Sequence, residues 1–157
     1  MRSNTASIAK GTDPKTGERI MLDANNKPVT ILLVDDDPDC RLLIRDAISE
    51  CKVSNAILEV GDGHAALELL QKNVREGAEM PGLIYLDIEM PRLNGLDATR
   101  RIREQPWGQT MTVIALTGWD QESDKQNSRD AGCNGHLVKP VALADLQAII
   151  KSPPPRP

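Results

Sequence analysis

Four short stretches of this sequence carry side chains that could do chemistry together: Asp35-Asp36-Asp37-Pro38, Asp87-Ile88-Glu89-Met90-Pro91, Thr117-Gly118 and Lys139-Pro140. Several carboxylates in one cleft repel one another by up to about 4 kcal/mol per close pair at an effective dielectric of 20, until a cation or protons intervene. A hard divalent cation answers that demand. Magnesium, or manganese in its place, prefers oxygen ligands, keeps some of its waters and commonly shares its shell with a phosphoryl group. Lys139 would then meet a phosphoryl oxygen as a point charge, and the Thr117 hydroxyl could donate to another. The chemistry implied is phosphoryl transfer by positioning and charge neutralisation.

The elements that must hold these groups alternate along the chain. Apolar runs at 29–34, 56–60, 83–86, 112–116 and 136–138 read as strands, several apolar on both faces, as in a buried parallel sheet. Amphipathic stretches follow them. Leu43, Ile44, Ala47, Ile48 and Cys51 share one helical stripe, as do Ala66, Leu67, Leu70 and Val74. Ala98 with Ile102, and Leu143, Leu146 and Ile150, supply inward faces for two more helices. Five such repeats predict an α/β domain, a doubly wound five-stranded parallel sheet with helices on both faces. In open sheets of this kind ligands gather at the carboxyl ends of strands, where all four stretches fall. The fourth helix is exceptional: residues 120–130 contain no apolar side chain, which predicts weak anchoring and a candidate moving part.

These stretches, in this order and each after a strand, resemble the receiver domain of response regulators and hybrid histidine kinases, over residues 29–151. The implied fold is flavodoxin-like. The resemblance implies Asp87 as phosphoacceptor, Asp36 as a direct metal ligand, Asp35 as an acid acting through water, and the Glu89 backbone carbonyl as the remaining protein ligand. It also implies Thr117 as the switch hydroxyl, Lys139 as the phosphoryl contact and a cis Lys139-Pro140 bond. The family pattern sets the metal pair directly after the strand valine, here Val34, which selects Asp35 and Asp36. Asp37 before Pro38 reads as a helix N-cap with proline at the first helical position. In the stretch 90–103, Gly95 permits the tight turn that follows the phosphoacceptor strand. Two positions depart from the usual pattern. His136 stands where many receivers carry a Tyr or Phe that swings inward as the threonine moves, and an imidazole could add pH sensitivity. Glu89 and Trp119 occupy positions that tune how long the phosphoryl group survives, and are expected to change the access of attacking water.

The implied partners are a sensor histidine kinase or histidine phosphotransfer protein as donor and an unidentified downstream protein. That protein would meet the surface of the fourth helix, fifth strand and fifth helix. No output domain follows, so the effect is expected to pass through such a partner or an attached kinase. Two rivals remain open: a magnesium-dependent phosphatase with an aspartyl-phosphate intermediate and Glu89 as acid/base, and a pseudo-receiver that binds partners without taking phosphate.

Composition agrees with a small signalling module. The 157 residues suffice for one domain with a real core, and with 39% hydrophobic residues but no Phe that core must be aliphatic. A net charge of −4 gives no basic footprint for a nucleic-acid backbone. An odd set of three cysteines without metal-like spacing, and no signal-like apolar run, point to a reducing, cytoplasmic setting. No apolar stretch approaches the roughly 20 residues that cross a bilayer. Residues 1–28 read as an extension, either a mobile arm or a short strand formed by Ile20, Met21 and Leu22; residues 152–157 read as a disordered proline-rich tail. Asp62 reads as a helix N-cap, His64 as a surface histidine, the cysteines as packed thiols, and Arg100, Arg101 and Arg103 as a solvated helix face.

Overall fold

A computed structural model describes residues 9–22, 28–50, 54–90, 92–118, 121–152 and 154. The predicted alternation is present. An N-terminal hairpin, β1 (Ala9–Thr12) and β2 (Arg19–Leu22), precedes β3 (Thr30–Val34), α1 (Pro38–Glu50), β4 (Ile57–Val60), α2 (Gly63–Glu76) and β5 (Pro81–Asp87). Then follow α3 (Gly95–Glu104), a 3-10 turn at Pro106–Gly108, β6 (Thr112–Thr117), α4 (Glu122–Ala131), β7 (Gly135–Val138) and α5 (Leu143–Lys151). Five strands pair in parallel in the order β4-β3-β5-β6-β7, which is the doubly wound α/β sheet expected.

Strand side chains alternate between faces, so each apolar run feeds two cores. Leu32, Val34, Ile84, Leu86, Val113 and Ala115 point to the face covered by α2 and α3, where Ala66, Leu70, Ala98 and Ile102 meet them. Ile31, Leu33, Leu83, Tyr85, Ile114 and Leu116 point to the other face, against Ile44 and Ile48 of α1 and Leu146 and Ile150 of α5. The three central strands are thereby buried on both sides, and their carboxyl ends form one rigid edge.

The helix stripes are narrower than the sequence pattern suggests. Leu43 is 65% exposed, while Val74 and Leu143 also face solvent. Each residue turns 100° about a helix axis, so Leu43 lies on the flank of a contact centred on Ile44 and Ile48; Val74 and Leu143 fall in terminal turns. Cys51 lies outside the described residues. On α4 the buried residues are Ser128 and Ala131, consistent with its lack of apolar side chains.

Within the N-terminal extension the hairpin docks through Met21, which is buried in the α1/α5 core. Asn55 fixes it: its side chain accepts from Met21 N (2.7 Å) and donates to Met21 O (2.9 Å) and Val29 O (2.7 Å). Of the C-terminal tail, Pro154 accepts from Asn134 Nδ2 at 3.2 Å, and the other prolines of 153–157 lie outside the described residues.

Candidate functional site

β3 and β5 are neighbours in the sheet, with Val34 opposite Leu86, so their chain ends deliver Asp35 and Asp87 side by side. Both acids are buried, Asp35 to 1% and Asp87 to 3% exposure, whereas Asp36 is open to solvent. Carboxylate oxygens of Asp35, Asp36 and Asp87 lie within 4.8 Å of one another. Lys139, from the end of β7, reaches across β6 to bridge the two buried acids: Nζ is 2.7 Å from Asp35 Oδ2 and 3.1 Å from Asp87 Oδ2. The Lys139 amide donates to Thr117 O at 2.7 Å, and the Lys139-Pro140 bond is cis, as the motif implied.

Backbone amides and close approaches set the acids' geometry. Glu89 N donates to Asp87 Oδ1 and Asp37 N donates to Asp35 Oδ1, both at 2.9 Å. Asp37 caps α1 by accepting from Asp39 N (2.9 Å), and Pro38 opens the helix, as expected. A β-carbon on Gly95 would sit 2.3 Å from the Asp87 carbonyl oxygen, so the start of α3 packs on the end of β5 only with glycine there. Asn94 caps α3 through Asp97 N at 2.9 Å.

The charges are strongly interdependent. Burial pushes the Asp35 carboxyl upward, but hydrogen bonds from the Cys40 thiol, Lys139 and the Asp37 amide outweigh it, and the net direction is down. Burial dominates at Asp87; with Asp35 beside it, the group ends above its ordinary value despite the Glu89 amide and Lys139. Burial disfavours the Lys139 ammonium, yet the paired carboxylates raise it overall. Burial, with the Asp35 carboxylate beside it, pushes the half-buried Cys40 thiol up to about 12. Three hard oxygen donors, two fixed and buried and one open to water, match what a small divalent cation requires, and the Lys139 ammonium pairs with the two buried ones.

The sequence profile described as the response regulator receiver domain matches residues 31–151. The chain belongs to the response regulator receiver family. An uncharacterised 14.6 kDa protein of Leptolyngbya boryana is 37% identical over 122 residues, covering 77% of this chain and 86% of that protein. Response regulator MprA of Mycobacterium sp. (strain KMS) is 35% identical over 125 residues, or 80% of this chain and 50% of MprA, so the receiver spans about half the length of the MprA proteins it matches. Among solved structures, the phosphorylated cyanobacterial phytochrome response regulator RcpA is 28% identical with a TM-score of 0.66, covering 78% of this chain and 89% of that one. Receivers are signalling domains that act through phosphorylation, and the fold and acidic cluster of this chain conform to that family.

Asp35, Asp36, Asp87 and Lys139 therefore meet in this receiver as the sequence pattern requires. Thr117 is 1% exposed at the end of β6, one strand from Asp87. The Glu89 carboxylate is exposed and accepts from Gly118 N at 3.3 Å. His136 is half-buried in mid-strand, opposite Ala115 and two residues before Val138, rather than at the strand end. Trp119 lies outside the described residues. Asp62 caps α2 and His64 is exposed, as read from sequence.

Arg103 corrects the expectation of a solvated arginine face. It is partly buried and donates to the carbonyls of Gly132 (2.9 Å), Gly108 (2.7 Å) and Met111 (2.6 Å) and to Asn134 Oδ1 (2.7 Å). Four acceptors from the turns around α3 and α4 fit one guanidinium fork, which a helix-face pattern cannot reveal. Arg41, which sequence reasoning passed over, donates from Nη1 to the Asp35 carbonyl. Among the described residues no helix is long and apolar enough to cross a membrane.

Proposed function

We propose that this receiver takes a phosphoryl group onto Asp87 from the phosphohistidine of a sensor histidine kinase or histidine phosphotransfer protein, in the cytoplasm, and passes the signal to a downstream protein. The observation that carries this reading is the buried Asp87 carboxylate, fixed by the Glu89 amide, with the Lys139 ammonium at 3.1 Å and two further acids beside it. An Asp87 oxygen forms the new bond to phosphorus as the phosphorus–nitrogen bond to the donor histidine breaks, and the imidazole leaves with the bonding electrons. Lys139 neutralises charge on the phosphoryl oxygens, and the Thr117 hydroxyl donates to one of them. Asp36, Asp87 and the Glu89 carbonyl would hold Mg2+ or Mn2+ directly and Asp35 through water; such a cation supplies neutralisation of the phosphoryl charge.

Once Asp87 is phosphorylated, Thr117 turns toward it and His136 moves into the space it leaves. The altered face, of α4, β7 and α5, meets the partner. Glu89 and Trp119 set how readily water reaches the acyl phosphate. Intact-mass measurement after incubation with acetyl phosphate, with and without Mg2+, tests the reading alongside Asp87→Asn. One added phosphoryl group, requiring both Mg2+ and Asp87, is the expected result. A chain that stays unmodified and binds no Mg2+ is a pseudo-receiver, and steady turnover of a small phosphomonoester marks a phosphatase.

A further inference from the structure

Where β3 passes into the acidic turn, both backbone polar groups of Asp35 are held, its amide by the sheet and its carbonyl by α1. The Asp35 amide donates to Val60 O at 3.2 Å, continuing the ladder toward β4. The Asp35 carbonyl accepts from Arg41 Nη1 at 2.5 Å, one turn into α1. Arg41 is itself braced: its Nε donates to Glu59 Oε1 on β4 at 3.2 Å. Arg45, a further turn along α1, holds the other Glu59 oxygen through Nε at 2.9 Å and through a short Nη2 contact, and among the described residues makes no hydrogen bond to the acidic turn.

We propose that Arg41 is a positioning residue for the cation site, setting the aim of Asp35 and Asp36 through the peptide plane they share. This rests on the reading of that cluster as a divalent-cation site. A peptide unit is planar, so fixing the Asp35 carbonyl oxygen also fixes the Asp36 nitrogen and the α-carbon from which the Asp36 side chain leaves the backbone. Asp36 is solvent-exposed, and among the described contacts no hydrogen bond holds its own carboxylate; its orientation therefore depends on the backbone beneath it. The brace does little for stability, because the Arg41 and Glu59 side chains are 21% and 30% exposed and such pairs contribute weakly. Its effect is geometric. Groups that orient metal ligands from behind commonly change metal affinity by about 10–100-fold when removed.

The sign of the effect separates position from charge. If Arg41 acted only as a nearby cation, removing it would tighten binding of a second cation. As a positioning group it weakens binding when removed, and Lys at this position, which keeps the charge but lacks the fork that spans Asp35 and Glu59, weakens it too. Titration of the metal-free chain with Mg2+ alone in a calorimeter reads this directly, with circular dichroism confirming that each variant is folded. Arg41→Ala is expected to raise the Mg2+ dissociation constant about tenfold, Arg41→Lys to raise it less, and Arg45→Ala to leave it unchanged. Acetyl phosphate labelling of Arg41→Ala should then need more Mg2+ for half-maximal modification while reaching the wild-type plateau. Unchanged or tighter binding in Arg41→Ala overturns the proposal, as does equal weakening by Arg45→Ala. A wild-type chain that binds no Mg2+ overturns the cation-site reading beneath it, a result distinct from either of these.

Discussion

Replacing Lys139 with Met removes the one ammonium that bridges Asp35 and Asp87 while keeping most of its aliphatic stem. The two buried carboxylates, with oxygens inside 4.8 Å of each other, are then left facing one another. At that separation and an effective dielectric of 20, their repulsion is about 3.5 kcal/mol. Proton uptake sets a ceiling, because holding one aspartate neutral at pH 7 against an ordinary pKa near 3.9 costs about 4 kcal/mol. The expected destabilisation without metal is therefore about 3 kcal/mol, or roughly 10 °C in melting temperature for a chain of this size. Urea unfolding in EDTA, followed by circular dichroism, measures it. A divalent cation replaces the missing charge, so saturating Mg2+ should shrink the deficit, and the variant should gain more stability from Mg2+ than the wild type, in which the ammonium must be displaced. Acid should shrink it as well, since a proton on either carboxyl ends the repulsion. A variant as stable as wild type in EDTA, or a deficit indifferent to both Mg2+ and acid, would refute the electrostatic account of the pocket.

The other predictions follow from the same geometry. Asp87 titrates above its ordinary value because it is buried, so its ionisation in the folded chain lowers stability as pH rises past the unfolded-state pKa near 3.9. Asp87→Asn should therefore unfold at higher urea than wild type at pH 7 in EDTA, with the advantage fading as pH falls below about 4. Asp35 has the opposite sign: its lowered pKa contributes stability at neutral pH that is lost as pH falls through the folded value, so Asp35→Asn should be destabilising at pH 7 in the same assay. Asn55→Ala removes three hydrogen bonds to Met21 and Val29 and should cost about 3 kcal/mol, with amide exchange accelerated first in the hairpin. Gly95→Ala forces a methyl against the Asp87 carbonyl and should cost about 3 kcal/mol and slow labelling by acetyl phosphate, whereas Gly77→Ala, with open space around it, should leave labelling unchanged.

The site was legible in the sequence because parallel-sheet chemistry sits at strand ends, and the strands β3, β5, β6 and β7 each end in an apolar stretch followed at once by a polar residue. Asp35, Asp87, Thr117 and Lys139 are each the polar residue directly after such a stretch, so finding the strands found the cluster. Capping was equally local: Asp37 and Asp62 act on amides two and three residues away. Depth and long-range polar pairing were not legible. Periodicity tells which way Leu43 points to within a quarter turn, but not that the contact ends at Ile44. Arg41 meets Glu59 on another strand, and Arg103 meets Gly132 and Asn134 some thirty residues on. Nothing in the neighbouring sequence marks such partners, since a guanidinium on a helix face has the same local pattern whether it ends in water or in four carbonyl and amide oxygens.

Arg103 also bears on how a change of charge at the strand ends becomes a change of surface. α4 buries Ser128 and Ala131, and its N-cap residue Gln121 makes no side-chain hydrogen bond to the first amides of the helix. Its C-terminal end is different. Gly132 closes the helix in a left-handed conformation, its carbonyl is held by Arg103 from α3, and Cys133 N returns to Ser128 O at 3.0 Å. The helix is therefore clasped at its C-terminal end. In the proposed cycle a phosphoryl group adds negative charge to a pocket that already holds three acids against one ammonium, and the hydroxyl of Thr117 is drawn inward. The clasp at Gly132 keeps the C-terminal end of the helix attached. A shift of this helix between two arrangements needs only a few kcal/mol, and one buried alanine and one buried serine oppose it less than a fully apolar face would.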